Sequence, residues 1–273
     1  MRVSGHTRVL AVVGDPVAHS LSPVMHNAAI RALGLDAVYV ALKVTAGGLR
    51  DALSMGRDVG LAGNATVPHK EALAALVDRR TATCERAGAG NTFWTEDGRL
   101  IGDNTDVAGV LGALEALDVS DEATWLVLGT GGAARAVAIA AADRGARLLV
   151  RSRSPDRGAR FATWARTLGP DVRCDGAGDE PQVVINASPL GLGAEDPLPI
   201  EPDDVPTCRV ALDLVYAAGG TRWCRAMARA GARTADGRMM LVEQGLRAFE
   251  RFFPGQRAPR EVMLGAVDRA LRD

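Results

Sequence analysis

From Trp125 to Arg135 the chain reads Trp-Leu-Val-Leu-Gly-Thr-Gly-Gly-Ala-Ala-Arg, an apolar run that meets glycines and passes into alanines. The run reads as a buried strand and the alanines as a helix. The spacing Gly129-x-Gly131-x-x-Ala134 is a dinucleotide fingerprint. Gly129 permits a tight turn, Gly131 lets the backbone approach a pyrophosphate, and Ala134 allows close helix-strand contact, while the helix N-terminus attracts negative charge. Further strands are expected at Arg147 to Val150, Val183 to Ile185 and Arg209 to Leu214, which makes this half a parallel, Rossmann-like sheet. An NAD-binding domain would end its second strand with Asp or Glu for the ribose 2′-hydroxyl. This chain has Arg151-Ser-Arg153-Ser154-Pro-Asp-Arg157 instead. Serine hydroxyls and a guanidinium suit a 2′-phosphate, so the expected cofactor is NADP, with Arg153 the strongest contact and Arg151 the weakest.

The fingerprint begins late. A cofactor domain starting near residue 107 leaves roughly a hundred residues ahead of it to hold a substrate, and the active site is expected in the cleft between the two. Throughout the 273 residues, strand-length apolar runs alternate with helix-period segments, the α/β pattern of parallel βα units. Val9 to Val13, Val38 to Val44 and Leu61 to Thr66 are expected strands. Ser22-Pro23 is expected to cap a helix that stops before Gly34. Asn91 to Thr95 and Arg99 to Gly102, joined around Glu96-Asp97-Gly98, read as a hairpin.

Bulk properties narrow the partners. A net charge of −1, with acids and bases interspersed, carries no nucleic-acid footprint and no polybasic membrane patch, so the expected partner is a small molecule. The Val9 to Val13 run is too short for a signal segment, and no stretch approaches the ~18 apolar residues of a membrane span; a soluble, cytoplasmic protein is expected. Cys84, Cys174, Cys208 and Cys224 are scattered, without metal or disulfide spacing, and are read as buried thiols. His19, His26 and His69 are read as structural, and no metal is expected.

Only two of the thirty-two basic residues are lysines, Lys43 and Lys70, and Lys70 closes Gly63-Asn-Ala-Thr-Val-Pro-His-Lys70. An arginine is effectively never deprotonated, whereas an amine can give up and take back a proton, so Lys70 is the first catalytic candidate. Asp106, in Gly102-Asp-Asn-Thr-Asp106, suits either a helix cap or a partner that orients the Lys70 amine. Ser20 and Ser22 flank Leu21 in an expected extended stretch, with both hydroxyls pointing one way; they suit a carboxylate, or Ser22 a plain N-cap. The asparagines, Asn27, Asn64, Asn91, Asn104 and Asn186, all sit in or beside expected loops, and Asn91 after Gly88-Ala-Gly is the one read as a ligand contact.

Taken in order, these segments resemble the shikimate dehydrogenase family. His19-Ser-Leu-Ser-Pro-Val-Met-His-Asn27 is similar to its carboxylate-binding segment, Gly63 to Lys70 to its lysine motif, and Gly102 to Asp106 to its aspartate motif. Gly129 to Arg135 and Ser152 to Arg157 are similar to its NADP signatures, and Asp213-Leu-Val-Tyr216 and Gln244 fall where its late substrate contacts lie. The resemblance implies Lys70 and Asp106 as the catalytic pair, and Ser20, Ser22, Thr66, Asn91, Asp106, Tyr216 and Gln244 as substrate contacts. For the cofactor it implies Gly129, Thr130, Gly131, Gly132, Ala133, Ser152, Arg153, Ser154, Arg157, Leu214 and Gly237. It also implies a discontinuous substrate domain, 1-105 with 238-273, around an NADP domain, 106-237, with a homodimer open to it. The expected reaction is NADPH-dependent, reversible reduction of 3-dehydroshikimate to shikimate on the route to chorismate and the aromatic amino acids. A quinate-using paralogue, or a non-catalytic NADP-binding regulator of the same fold, is the alternative. Ala65, Ala218 and Met239 depart from the family pattern, and none removes a reactive group.

Overall fold

A computed structural model describes residues 3–119, 123–169, 171–176, 178–191, 193 and 195–272. The chain divides into two compact units: one runs to Asp106 and resumes over Leu241–Leu271, and the other is Val107–Met240. Among the described residues no helix is long and apolar enough to cross a membrane.

The first unit holds β1 (Arg8–Gly14), α1 (Ser22–Ala32), β2 (Ala37–Lys43), α2 (Leu49–Asp58), β3 (Ala62–Ala65), α3 (Lys70–Leu76), β4 (Arg79–Arg80), α4 (Ala82–Ala87), β5 (Thr92–Glu96) and β6 (Arg99–Asp103). Its sheet has the order β2-β1-β3-β5-β6-β4. Alternation along β1 builds a core on each face. Leu10 and Val12 join Met25, Ile30 and Tyr39 together with Val242, Phe249 and Phe252 from the C-terminal segment. Ala11 and Val13 join Leu49, Leu53, Leu73 and Phe93 on the other side.

The sheet is mixed, and its antiparallel part contains the hairpin expected over Asn91 to Gly102. β1 pairs with β2 and β3 in parallel, but β5 is antiparallel to both β3 and β6. The cause is local: Glu96 pairs with Arg99, and Asp97 and Gly98 between them take φ of 50° and 70°, a two-residue turn that reverses the chain.

The second unit starts with α5 (Asp106–Ala116), whose first residue belongs to the first unit, and continues through β7 (Thr124–Leu128), α6 (Gly132–Asp143), β8 (Arg147–Arg151), α7 (Pro155–Arg166), β9 (Val172–Cys174), β10 (Val183–Asn186), β11 (Val210–Asp213), α8 (Arg222–Arg229) and β12 (Arg233–Ala235). Helices α9 (Gly237–Phe252) and α10 (Arg260–Ala270) complete the chain. The strand order is β12-β11-β10-β7-β8-β9, parallel throughout, a doubly wound sheet whose topological switch falls between β7 and β10. Apart from Thr124 and Asn186 at their ends, β7 and β10 are apolar throughout, which suits burial on both faces. Ala134 and every residue from Ala136 to Ala141 are buried, so small side chains let α6 lie close to the sheet.

Two expectations about side chains need correction. Cys174 is exposed and Cys208 only partly buried, because Cys174 ends a three-residue strand at the sheet margin. Asn27 and Asn64 lie inside regular elements rather than in loops. The Asn27 amide in α1 bonds both the N–H (2.9 Å) and the carbonyl (2.7 Å) of Tyr39, substituting for a missing strand neighbour of β2.

His26 is fully buried, its ring stacked 4.4 Å from Tyr39, with neither nitrogen hydrogen-bonded among the described residues. Burial pulls its pKa from 6.5 down to about 3. The unfolded chain takes up this proton below pH ~6.5 while the folded chain refuses it, so stability falls as pH drops from there towards 3, approaching about 1.4 kcal/mol per pH unit. Urea midpoints at pH 6.5 and pH 5 are expected to converge in His26→Phe relative to the parent protein; an unchanged slope would refute the assignment.

Candidate active site

Strand directions gather the first unit's candidates at one sheet edge. β1 and β3 run parallel, so the segment leading to Ser20 and the segment Thr66 to Lys70 both leave the same edge. β5 is antiparallel to β3, so its preceding residue, Asn91, starts there, and β6 ends there at Asp103 opposite Thr92.

Lys70 opens α3, with its carbonyl fixed by the Gly90 N–H (2.7 Å) and the neighbouring His69 ring held 2.7 Å from the Val44 carbonyl. Its Nζ donates to Asp106 Oδ2 at 2.6 Å, a charge-assisted contact. The Lys70 side chain is 18% exposed and that of Asp106 5%, so water reaches the pair only from the amine side. The other carboxylate oxygen, Oδ1, accepts from Asn91 Nδ2 at 2.9 Å. Asp106 is the first residue of its helix, where Asn104 Oδ1 accepts its N–H at 3.1 Å, and its carboxylate oxygens go to Lys70 and Asn91.

Asn91 is the hub. Its amide nitrogen also lies 3.2 Å from Gln244 Oε1 and 3.0 Å from Thr105 Oγ1, and its oxygen accepts the Thr105 N–H at 2.7 Å. Gln244 is itself steadied by donating to the Leu241 carbonyl (2.7 Å). Behind the hub, Asn64 donates to the Asn91 carbonyl and to Thr92 Oγ1, and accepts from the Tyr39 hydroxyl at 2.7 Å. Burial raises the Tyr39 pKa well above 10, which keeps that hydroxyl a donor. Tyr39, Asn64 and Thr105 were not singled out in the sequence, although Asn64 and Thr105 sit inside the quoted motifs.

The two serines behave differently from expectation. Leu21 is helical, with φ −86° and ψ −1°, and occupies the cap position itself, while the Ser22 hydroxyl makes no capping bond. Ser20 Oγ accepts the Ser22 N–H at 3.3 Å, a local turn that curls the chain into α1 early. Neither serine hydroxyl nor that of Thr66 is bonded to the Lys70 network.

In the second unit the parallel strands bring the fingerprint, the Ser152 to Arg157 segment, Leu214 and Gly237 to one edge. Gly129 has φ of 115°, and a Cβ there would sit 3.0 Å from the Ala187 carbonyl, so only glycine serves. Helix α6 begins with no side-chain cap, and among the described residues nothing beyond Gly131 and its chain neighbours lies within 4 Å of where a Gly131 Cβ would be, leaving room against its first N–H groups, those of Gly132 and Ala133 included. Thr130, between these glycines, is half-buried. A Cβ on Gly237 would strike the Leu214 carbonyl, so this glycine lets the start of α9 lie against the strand-end backbone. Arg151 is committed to Asp175 at 2.5 Å. Ser154 caps α7 through the Arg157 N–H (3.4 Å), and Ser152 Oγ accepts the Ser154 N–H (3.3 Å). The Arg153 and Arg157 guanidinium groups are exposed and have no ion-pair partner among the described residues. Uncapped helix N–H groups, open space over them and two free guanidinium groups fit a 2′-phosphorylated dinucleotide. Tyr216 follows β11, half-buried.

Residues 12–93 match the shikimate dehydrogenase substrate binding domain and residues 237–267 the shikimate 5′-dehydrogenase C-terminal domain. The shikimate dehydrogenase (NADP(+)) of Methanothrix thermoacetophila is 41% identical over 97% of this chain and 98% of its own. Among solved structures, shikimate dehydrogenase from Aquifex aeolicus is 33% identical, with a TM-score of 0.89 over 97% of this chain and 99% of its own. Shikimate 5-dehydrogenase from Thermus thermophilus, in complex with NADP(H) and shikimate, is 34% identical, with a TM-score of 0.85 over 97% of this chain and 100% of its own. Over nearly its whole length, then, the chain belongs to the shikimate dehydrogenase family.

Proposed function

We propose that the protein is an NADP-dependent oxidoreductase that interconverts 3-dehydroshikimate and shikimate, with Lys70 as proton donor and acceptor and Asp106 as its partner. The observation that carries this reading is the 2.6 Å Lys70–Asp106 contact, held from behind by Asn91. Binding alone does not call for a mobile proton beside a fixed carboxylate.

Bound NADPH supplies the hydride. As the substrate ketone is reduced, the C=O π electrons move onto oxygen, and the Lys70 ammonium stabilises that charge and transfers a proton to it. The neutral amine regains a proton from water at its exposed side, and in the oxidative direction the same amine removes the hydroxyl proton. Asp106 keeps Nζ directed and balances its charge. Ser20, Ser22, Thr66, Asn91 and Gln244 hold the substrate, whose hydroxyls and carboxylate suit hydroxyl and amide partners.

Steady-state rates with shikimate and quinate, each with NADP+ and NAD+, test the reading. Shikimate with NADP+ is expected to be the best pair; failure to oxidise shikimate with either nucleotide would overturn it. The free guanidinium groups carry a separate expectation. Arg153→Ala with Arg157→Ala is expected to raise the KM for NADP+ by about tenfold or more while leaving that for NAD+ nearly unchanged, since only the former has the 2′-phosphate. Equal loss with both nucleotides would assign the arginines elsewhere.

A further inference from the structure

Asn186 and Asp213 end the adjacent strands β10 and β11, stand opposite each other in register, and are both 0% exposed. Asn186 Nδ2 donates to Asp213 Oδ1 at 2.8 Å and to the Leu190 carbonyl at 3.0 Å, while Asn186 Oδ1 accepts from the Ser188 N–H (3.1 Å) and hydroxyl (2.7 Å). Asp213 Oδ1 also accepts the Val215 N–H at 3.1 Å. One side-chain bond therefore holds two strand-end loops, Ser188 to Leu190 and the segment entering Tyr216. Both loops are tied onward: the Ala187 N–H donates to the Leu128 carbonyl (3.0 Å) beside the Gly129 turn, and the Gly237 N–H donates to the Val215 carbonyl (2.9 Å).

Packing alone does not call for these residues. Burial pushes the Asp213 carboxyl above the usual carboxylate range, against the pull of its hydrogen bonds, and an apolar pair here would avoid that desolvation. The location gives the pair a use. In a doubly wound sheet the dinucleotide lies outside the carboxyl ends of the strands, one half on each side of the switch point. With the pyrophosphate at the β7 turn and the 2′-phosphate at the end of β8, the nicotinamide half falls over β10 and β11.

We propose that Asn186 and Asp213 are a positioning pair for hydride transfer, clamping together the two loops against which the nicotinamide ring rests. The proposal rests on the dehydrogenase reading above. A displacement of about 1 Å at a reacting centre can cost on the order of 10²-fold in rate, so a clamp one residue away from both loops has leverage.

The test compares Asp213→Ala, Asn186→Ala, the double variant and Asp213→Asn. Each alanine variant is expected to lower kcat on the order of 10²-fold. The KM for NADP+ should move less than about threefold, and the double variant should be no worse than the poorer single one. The isotope effect for substrate deuterated at the reacting carbon should rise, because the chemical step is the one slowed. Asp213→Asn, which keeps an oxygen acceptor in place, is expected to recover most of the loss. A kcat that merely follows the folded fraction, with an unchanged isotope effect or additive losses, would overturn the proposal. If Asp213→Ala does not fold, Asn186→Ala and Ser188→Ala carry the same comparison. Wild-type turnover of shikimate is scored first and judges only the functional reading. Should the wild type oxidise a different alcohol, the ratios are read on that one. Should it oxidise none, the emission of bound NADPH decides, and variants with wild-type emission overturn the pair.

Discussion

Lys70→Ala is expected to lower kcat on the order of 10³-fold while the KM for shikimate changes only a few-fold. The two responses separate because the ammonium acts chiefly on charge that develops during reduction, whereas the hydroxyls and amides around it meet groups present in the bound substrate throughout. Lys70→Arg is expected to be nearly as slow. It keeps the positive charge, but a guanidinium does not release its proton, and its longer, planar fork does not fit the place of a single ammonium. Steady-state rates in both directions, with circular dichroism to establish folding, are the measurement. Near-normal turnover in either variant would remove Lys70 from the chemistry. A loss confined to KM would reduce it to a binding contact.

How much of this was legible in the sequence depends on whether the information is local. The four central strands of the second sheet were, because each carries a buried apolar run and the Gly129 turn announces its own geometry, whereas the short, little-buried edge strands β9 and β12 were not. The hairpin at Asp97-Gly98 was legible for the same reason, yet its consequence for strand direction in the first sheet was not, since pairing β5 to β3 is a choice made across the chain. The serines show a local rule losing to another local rule: Ser22 before proline reads as a cap, but the Ser20 hydroxyl takes the Ser22 N–H and shifts the helix start. Lys70 and Asp106 were singled out by residue type and loop context. Their contact, 36 residues apart in sequence, and the part played by Gln244, 153 residues from Asn91, depend on tertiary placement that no short window contains. The same is true of Asn186 and Asp213, each an ordinary strand-ending residue until the register puts them side by side.

Asn91→Leu is expected to damage stability and catalysis together, and the size of each effect follows from what the amide holds. Leucine keeps the branched shape and is the larger residue, so no cavity forms, but the Thr105 N–H loses its acceptor, and Asp106 Oδ1 and Gln244 Oε1 lose a donor, all in a buried setting. Groups stripped of their partners in this way cost about 1–3 kcal/mol apiece before relaxation, and a net loss of about 2–4 kcal/mol is expected by urea unfolding. Catalysis falls for a different reason. With one carboxylate oxygen unheld, Asp106 can rotate and carry Nζ of Lys70 with it, and a kcat loss on the order of 10²-fold is expected at a temperature where the variant is fully folded. Asn91→Ser distinguishes the two effects, since a hydroxyl can still serve one partner but is too short to span Asp106 and Gln244 at once. It should regain part of the stability and little of the rate. If Asn91→Leu keeps wild-type turnover while fully folded, the buried network is scaffolding only, and Asp106 is held well enough by Lys70 alone.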